Sequence, residues 1–268
     1  MKVGVLEKIN CIEIQETTQK LLVFLTSLGY ETKRFSTVEE IDGVDVVVVL
    51  GGDGAILHAA VTAARHSVQI IGVNYGNLGF LTEFEKYEWE KLGELLKGLE
   101  KGDCRILKRT LLEVAVEDKT YYALNEAAIQ RDYGLHLQKP TQILRIDVET
   151  GEGKDRISGD GLLICTPTGS TAYSLSAGGA IITPEVPVFM LTPVCAFSMR
   201  RRPVVFSNEE EFTLRVARGE GVLLLDGSAV AVLPENAIVT VKKAPFTANF
   251  PVRESNAFFD KVSNKLNQ

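Results

Sequence analysis

The sequence lacks several features that mark whole classes of protein. No apolar run approaches the ~18 to 20 residues that a membrane-spanning helix needs. Asp and Glu (35) outnumber Lys and Arg (29), and this balance does not favour binding to nucleic acid or an anionic membrane. The four cysteines, Cys11, Cys104, Cys165 and Cys195, form no CxxC pair, so neither a zinc cage nor a disulfide framework is indicated. We therefore expect a protein of a reducing cytoplasm.

Two common nucleotide-binding motifs and one hydrolase motif are also absent. The chain contains neither the dinucleotide motif G-x-G-x-x-G nor the P-loop G-x-x-x-x-G-K-[ST]. It has no G-x-S-x-G, so a serine hydrolase is unsupported. Without a P-loop lysine, any phosphoryl transfer has to rely on backbone dipoles, magnesium and other basic groups.

The first hundred residues alternate strand and helix patterns. Val44 to Leu50 is almost continuously β-branched, as in a parallel strand that is covered on both faces. Ala55 to Ala64 is predicted to be a helix and Ile70 to Val73 the next buried strand. The same alternation extends over a strand at 2–6, a helix with Leu21, Leu22, Leu25 and Leu28, a strand at 31–35 and a helix with Trp89, Leu92, Leu95, Leu96 and Leu99. It predicts right-handed βαβ crossovers and an open, Rossmann-like sheet.

The pattern changes after about Asp103. Short strand-like runs separated by turns predict an antiparallel layer or sandwich, with strands at 111–116, 123–131, 143–148, 162–165, 212–216, 222–225 and 238–241. Ser255 to Leu266 is again helical and is expected to dock on the first domain. The predicted fold is therefore α/β plus all-β. A Rossmann-like N-terminal domain (1–103, with 250–268 packing back on it) is followed by a β-sandwich-like domain (104–249).

Gly51-Gly52-Asp53-Gly54 ends the most hydrophobic strand and precedes a helix. Ligands of open α/β sheets bind at the carboxyl ends of strands, and an Asp there can take a proton from an alcohol. A tight turn in which Asp53 caps the helix fits the same four residues. The loop at 74–80 should lie beside it, where Phe80 stacks on a base or packs in the core. His58, like His136, is either a phosphate-binding side chain or a surface histidine.

Two polar motifs fall within the β-rich half. Asn125-Glu126 interrupts an apolar run, and burying both side chains without partners would be costly. Ribose hydroxyls or a base edge would satisfy them; a strand end exposed to water is the alternative. The second motif follows Ser158-Gly159-Asp160-Gly161 and the strand at 162–165, and it reads Thr-Pro-Thr-Gly-Ser-Thr-Ala-Tyr at 166–173. Its density of small polar groups indicates a nucleotide-binding turn.

Taken together, these motifs closely resemble the NAD kinase family. The resemblance spans nearly the whole chain: GGDG at 51–54, NLGFL at 77–81, LNE at 124–126, GDG at 159–161, TPTGSTAYSLSAGG at 166–179, Arg202-Pro203 and Asp226-Gly227. GGDG alone is shared with diacylglycerol and sphingosine kinases, whereas the TPTGSTAY segment is far more specific.

The resemblance implies transfer of the ATP γ-phosphoryl group, with Mg²⁺, to the 2′-hydroxyl of the adenosine ribose of NAD, and a homodimer or homotetramer. Polyphosphate is the alternative donor. Asp53 matches the family's proton acceptor, and no protein metal ligand is implied. The residues that match substrate-binding positions are Asp53, Gly54, His58, Phe80, Asn125, Glu126, His136, Asp160, Thr171, Ala172, Tyr173, Ser174, Leu175 and Ser176.

Two other functions fit part of the sequence. A lipid kinase of the diacylglycerol or sphingosine type would share GGDG, but it gives no reason for the segment at 166–173. A non-catalytic dinucleotide sensor would bind NAD without phosphorylating it. A kinase assay separates these alternatives.

Overall fold

A computed structural model describes residues 1–7, 12–76, 79–132, 143–253 and 258–266 of the chain. The chain divides into two compact units, Met1–Arg109 with Phe246–Gln268, and Thr110–Pro245. The boundaries after Arg109 and after Pro245 each fall within a long strand, Arg105–Val116 and Ile238–Val252. None of the helices in the described ranges is long and apolar enough to cross a membrane.

The first unit contains a five-stranded parallel sheet with strand order β2-β1-β3-β4-β5. Its elements are β1 (Lys2–Glu7), α1 (Ile12–Ser27), β2 (Glu31–Phe35), a 3₁₀ turn (Val38–Glu40), β3 (Val46–Leu50), α2 (Asp53–Arg65), β4 (Gln69–Asn74), β5 (Phe84–Glu85) and α3 (Trp89–Glu100). All five residues of β3 are buried, which explains its continuous apolar run. The predicted open α/β sheet is confirmed.

The second unit contains two six-stranded antiparallel sheets, β10-β9-β14-β17-β6-β7 and β13-β12-β11-β8-β15-β16. The elements are β6 (Arg105–Val116), β7 (Lys119–Ala123), β8 (Glu126–Arg131), β9 (Leu144–Thr150), β10 (Gly153–Gly159), β11 (Gly161–Cys165), a 3₁₀ turn (Thr168–Thr171), α4 (Tyr173–Ser176), β12 (Val188–Val194), β13 (Val204–Ser207), β14 (Phe212–Arg218), β15 (Gly221–Leu225), β16 (Ser228–Leu233) and β17 (Ile238–Val252). One buried cluster draws its side chains from both sheets, for example Leu214 of one and Ile164 of the other. This shared core makes the unit a β-sandwich, as predicted.

One predicted strand, at 123–131, is wrong in its extent. The chain breaks at Leu124 and Asn125 and forms β7 and β8, which belong to different sheets. The cause is a carboxylate about a hundred residues downstream, Asp226, which draws the main-chain N–H groups of both residues away from strand pairing. The strand predicted at 238–241 is instead the start of the much longer β17.

The last described element is the helix α5 (Phe258–Leu266), which belongs to the first unit. Its Phe258 ring lies 6.4 Å from the ring of Phe80, measured between centroids. The same face carries Lys261 and Lys265, which are one helical turn apart. The return of the C-terminal helix to the first unit is therefore confirmed.

Candidate functional site

The Asp53 carboxylate is fixed in place by main-chain groups of the neighbouring loop. Asp53 is the first residue of α2, and its Oδ2 and Oδ1 atoms accept the N–H groups of Phe80 (2.8 Å) and Leu81 (3.0 Å). The residue before it, Gly52, is the N-cap, and no side-chain capping bond forms there. The helix-capping interpretation of Asp53 is therefore wrong, because the carboxylate binds a different loop.

This loop approaches Asp53 so closely at position 79 that any residue larger than glycine would force the loop or the carboxylate to shift. A Cβ atom on Gly79 would lie 2.1 Å from Asp53 Oδ1. The Asp53 side chain nevertheless stays 28% exposed, so it remains open to a ligand. A carboxylate held in this way can orient an alcohol and accept its proton.

The other predicted residues of this unit lie at different depths. Gly54 and His58 are exposed and stand four residues apart on α2, so they share one face of the helix. Phe80 is buried, and its ring packs toward α5, whereas its main-chain N–H reaches Asp53. Stacking of Phe80 on a base stays a prediction. His136 lies outside the described residues.

Several basic side chains lie near Asp53 and the loop at 79–83 that binds it. The sequence pattern did not predict most of these side chains. Lys265 Nζ lies 3.6 Å from Asp53 Oδ2 and 4.2 Å from the centre of the Phe80 ring. Arg109 is 7% exposed, and burial lowers the pKa of its guanidinium to about 10 against the opposing charges of Asp53 and Glu83. It therefore stays protonated at neutral pH. The sequence predicted only that α5 docks on this unit, and not which basic side chains lie near Asp53.

Glu83 provides the counter-charge in this cluster. Its side chain is 5% exposed, and its Oε1 accepts the main-chain N–H (2.9 Å) and the side-chain Nε (3.1 Å) of Arg253. Lys261 donates to the Thr82 carbonyl (2.8 Å) and lies 3.7 Å from Glu83 Oε2. These bonds attach the C-terminal segment to the loop that holds Asp53.

In the second unit, Asn125 and Glu126 are both buried, so the interpretation of a solvent-exposed strand end is wrong. Asp226 accepts the N–H groups of Leu124 (2.8 Å), Asn125 (2.8 Å) and Glu126 (3.1 Å). Asp226 itself has a positive φ of 47° in the turn after β15. The sequence singled out this Asp only as part of the family motif and not as a site residue.

Glu126 has an unusual electrostatic environment. Burial, and next the charge of Asp226, raise the pKa of its carboxyl to about 8. Its Oε2 atom is buried and makes no hydrogen bond to any residue that the structure describes. Such an atom is costly to leave unpaired, and a ligand hydroxyl would satisfy it. A protonated Glu126 can donate a hydrogen bond as well as accept one.

The hydroxyl-rich segment uses part of its polarity for its own fold. The buried Ser170 hydroxyl donates to the Pro167 carbonyl (2.6 Å) and accepts the Ile182 N–H (2.9 Å). The Ser174 hydroxyl is fully buried and pairs with that of Thr192 (3.0 Å). Both hydroxyls are therefore used within the fold, and the substrate contact of Ser174 stays a prediction.

The remaining predicted residues of this unit stay accessible. Ser176 is exposed, and Thr171, Ala172, Tyr173 and Leu175 are partly so. The Tyr173 hydroxyl accepts a hydrogen bond from the Gln130 amide. Asp160 is partly exposed and pairs with Arg131 at 2.9 Å. The segment is held against Asn125 by Gly169, where a Cβ atom would lie 2.1 Å from the Asn125 carbonyl oxygen.

Comparisons with known proteins identify the family. A model described as the ATP-NAD kinase N-terminal domain matches residues 3–104, and one described as the ATP-NAD kinase C-terminal domain matches residues 124–251. The NAD kinase of Methanothermobacter thermautotrophicus is 31% identical over 99% of this chain and 96% of its own length. NAD kinase 2 of Prochlorococcus marinus is 40% identical over 82% of this chain and 72% of its own.

Solved structures agree with this result. An NAD kinase from Archaeoglobus fulgidus in complex with ATP has a TM-score of 0.80 and 26% identity, covering 100% of this chain and 99% of its own. A yeast NADH kinase complexed with NADH has a TM-score of 0.86, covering 100% of this chain and 88% of its own; at 21% identity it shows the fold alone. From its motifs, its two matched domains and its relatives, the chain belongs to the NAD kinase family.

Proposed function

We propose that the protein transfers the γ-phosphoryl group of ATP to the 2′-hydroxyl of the adenosine ribose of NAD, giving NADP and ADP. The observation that carries this proposal is the Asp53 carboxylate, fixed by two main-chain N–H groups yet still partly exposed. Family membership supports the reaction type and both substrates.

Asp53 is the proton acceptor in this proposal. The ribose 2′-oxygen attacks the γ-phosphorus, the bond from that phosphorus to the oxygen bridging to the β-phosphate breaks, and ADP leaves. The hydroxyl proton passes to the Asp53 carboxylate. A ribose hydroxyl is a poor nucleophile, so its orientation by a rigid carboxylate supplies much of the acceleration.

The second unit holds the dinucleotide in this proposal. The unpaired Oε2 of Glu126 and the adjacent Asn125 take ribose hydroxyls. Asp160 and the accessible part of the segment Thr171 to Ser176 take the rest of NAD, with Tyr173 packing on it. Gly54, His58, Phe80 and His136 complete the predicted contacts.

Magnesium is proposed to arrive with the nucleotide. In the described part of the chain, no group of three or more His, Cys, Asp or Glu side chains is arranged to hold a metal ion. Mg²⁺ in phosphoryl-transfer enzymes is commonly held by substrate phosphates and only one or two carboxylates, so such a cage is not needed. When bound, the ion neutralises charge on the donor phosphates. A homodimer or homotetramer is proposed on the family resemblance, and a cytoplasmic location on the absence of a CxxC pair or a disulfide framework in the sequence.

The deciding experiment supplies ATP, Mg²⁺ and NAD to the purified protein and measures NADP with an NADP-specific dehydrogenase. Wild-type protein should form NADP, and Asp53→Asn should lose nearly all of this activity while remaining folded. Asp118→Asn, which removes an exposed carboxylate in the turn between β6 and β7, is the matched control. NAD binding without NADP formation would overturn the kinase in favour of a sensor. NADH and polyphosphate, in separate reactions, test acceptor and donor choice.

A further inference from the structure

Lys265 lies beside the Asp53 carboxylate but forms no hydrogen bond with it. Its Nζ atom is 3.6 Å from Asp53 Oδ2, beyond hydrogen-bonding distance, and 4.2 Å from the centre of the Phe80 ring. One third of the side chain is exposed. Within the described part of the chain, the ammonium donates no hydrogen bond to a protein group. It is therefore a cation held in position whose N–H donors make no hydrogen bond to any described residue.

The other lysine on this face of α5 shows the contrast. Lys261 is only 17% exposed, donates to the Thr82 carbonyl and lies beside Glu83. Burial lowers the pKa of its ammonium, and the nearby charge of Glu83 opposes that shift. Lys261 thus anchors α5 to the Asp53 loop, and this anchoring places Lys265 one helical turn further on.

The reaction needs a cation at this place. The donor brings several negative charges to a point beside the Asp53 carboxylate, and like charges at short range repel each other. The chain has no P-loop lysine to offset this repulsion. Building on the function proposed above, we propose that Lys265 of the C-terminal helix binds the phosphates of the phosphoryl donor, in the role that a P-loop lysine plays elsewhere.

The test compares Lys265→Gln with the conservative Lys265→Arg and with Lys20→Gln, which removes an exposed lysine from α1 in the same unit. Steady-state rates are measured with ATP and NAD varied separately, and binding of a non-hydrolysable ATP analogue is measured by calorimetry. Lys265→Gln should weaken donor binding about tenfold to a hundredfold, the loss expected for one charge-assisted contact. The KM for NAD should change little, Lys265→Arg should retain most of the affinity, and Lys20→Gln should behave as wild type.

Two outcomes would overturn the role of Lys265. One is a Lys265→Gln variant with the donor KM and analogue affinity of Lys20→Gln. The other is an equal loss toward both substrates that Lys265→Arg does not restore, because this would mark a purely structural contact with Asp53. Either result, with NADP still formed by wild type and lost in Asp53→Asn, would leave the proposed function intact. An active Asp53→Asn variant would instead contradict the proposed function.

Discussion

The carboxylate of Asp226 accepts the main-chain N–H of Asn125 at 2.8 Å, although the two residues are 101 positions apart in the sequence. This bond helps to determine where β8 begins. The same carboxylate accepts the N–H groups of Leu124 and Glu126. A single side chain therefore satisfies three consecutive backbone donors at a point where the chain leaves one sheet for the other.

Asp226→Asn should weaken both the fold and the binding of NAD. An amide has one acceptor oxygen in place of two, so its NH₂ group would face a buried N–H donor. We expect a loss of about 1–3 kcal/mol in the free energy of unfolding and a raised KM for NAD. Chemical denaturation and kinetics measure these effects, with Asp118→Asn as the control. Unchanged stability would show that the turn is held by other contacts.

Glu126 should make stability depend on pH. Its carboxyl pKa is raised to about 8, so between roughly pH 4.5 and 8 the folded protein holds a proton that the unfolded chain releases. This contribution is complete below the unfolded pKa and is lost as pH rises through the folded pKa. Relative to Glu126→Gln, wild type should lose up to about 1 kcal/mol of unfolding free energy per pH unit across this range. Denaturation of both proteins at pH 5.5 and 8 gives the difference, and parallel pH profiles would contradict the prediction.

Gly79→Ala should damage catalysis by moving Asp53. The added Cβ atom would meet Asp53 Oδ1 at 2.1 Å, so either the carboxylate or the loop has to shift. A displacement of this size is expected to lower kcat by about a hundredfold. Gly76→Ala is the matched control, because among the residues that the structure describes a methyl group added there would meet no atom within 4 Å beyond its own chain neighbours. Equal rates for the two variants would show that the exact placement of Asp53 does not matter.

Ser170→Ala and Ser176→Ala should separate the structural hydroxyls from the accessible ones. Removing the Ser170 hydroxyl leaves the Ile182 N–H without its acceptor, and the Pro167 carbonyl keeps only the weaker bond from the Ser170 main-chain N–H at 3.3 Å. We expect about 1–3 kcal/mol of destabilisation for Ser170→Ala and close to none for the exposed Ser176→Ala. Thermal or chemical unfolding without ligand measures both, and the prediction fails if the two variants unfold alike.

Much of the fold follows from local pattern. The nearly continuous apolar run at 44–50 predicted a buried parallel strand, and β3 occupies 46–50. The helix predicted at 55–64 forms as Asp53–Arg65. Strands such as β13 and β16 were not predicted, because exposed or mixed positions such as Val204 and Val232 blur the alternation on which prediction depends. Their partners lie elsewhere in the chain, where periodicity holds no information about them.

The candidate site, like the fold, could be predicted from the sequence only in part. The residues of GGDG and TPTGSTAY could be selected from sequence, because glycine and hydroxyl clusters after apolar strands have a local physical meaning. The sequence could not predict which of these hydroxyls are buried. Ser174 and Ser176 look alike in the sequence, but Ser174 is buried and Ser176 is exposed. Local pattern likewise could not predict that Lys265 lies beside Asp53.

By itself, the sequence determined the family, the two kinds of sheet and the carboxylate that the proposed reaction needs, because each is encoded in a short run of neighbouring residues. Only the tertiary structure decided that Asp53 binds a loop and does not cap its helix, that Asp226 holds Asn125, and that α5 brings a cation to the site. The physical reason is that hydrogen bonds and charge act over a few ångströms in space, whatever the distance along the chain.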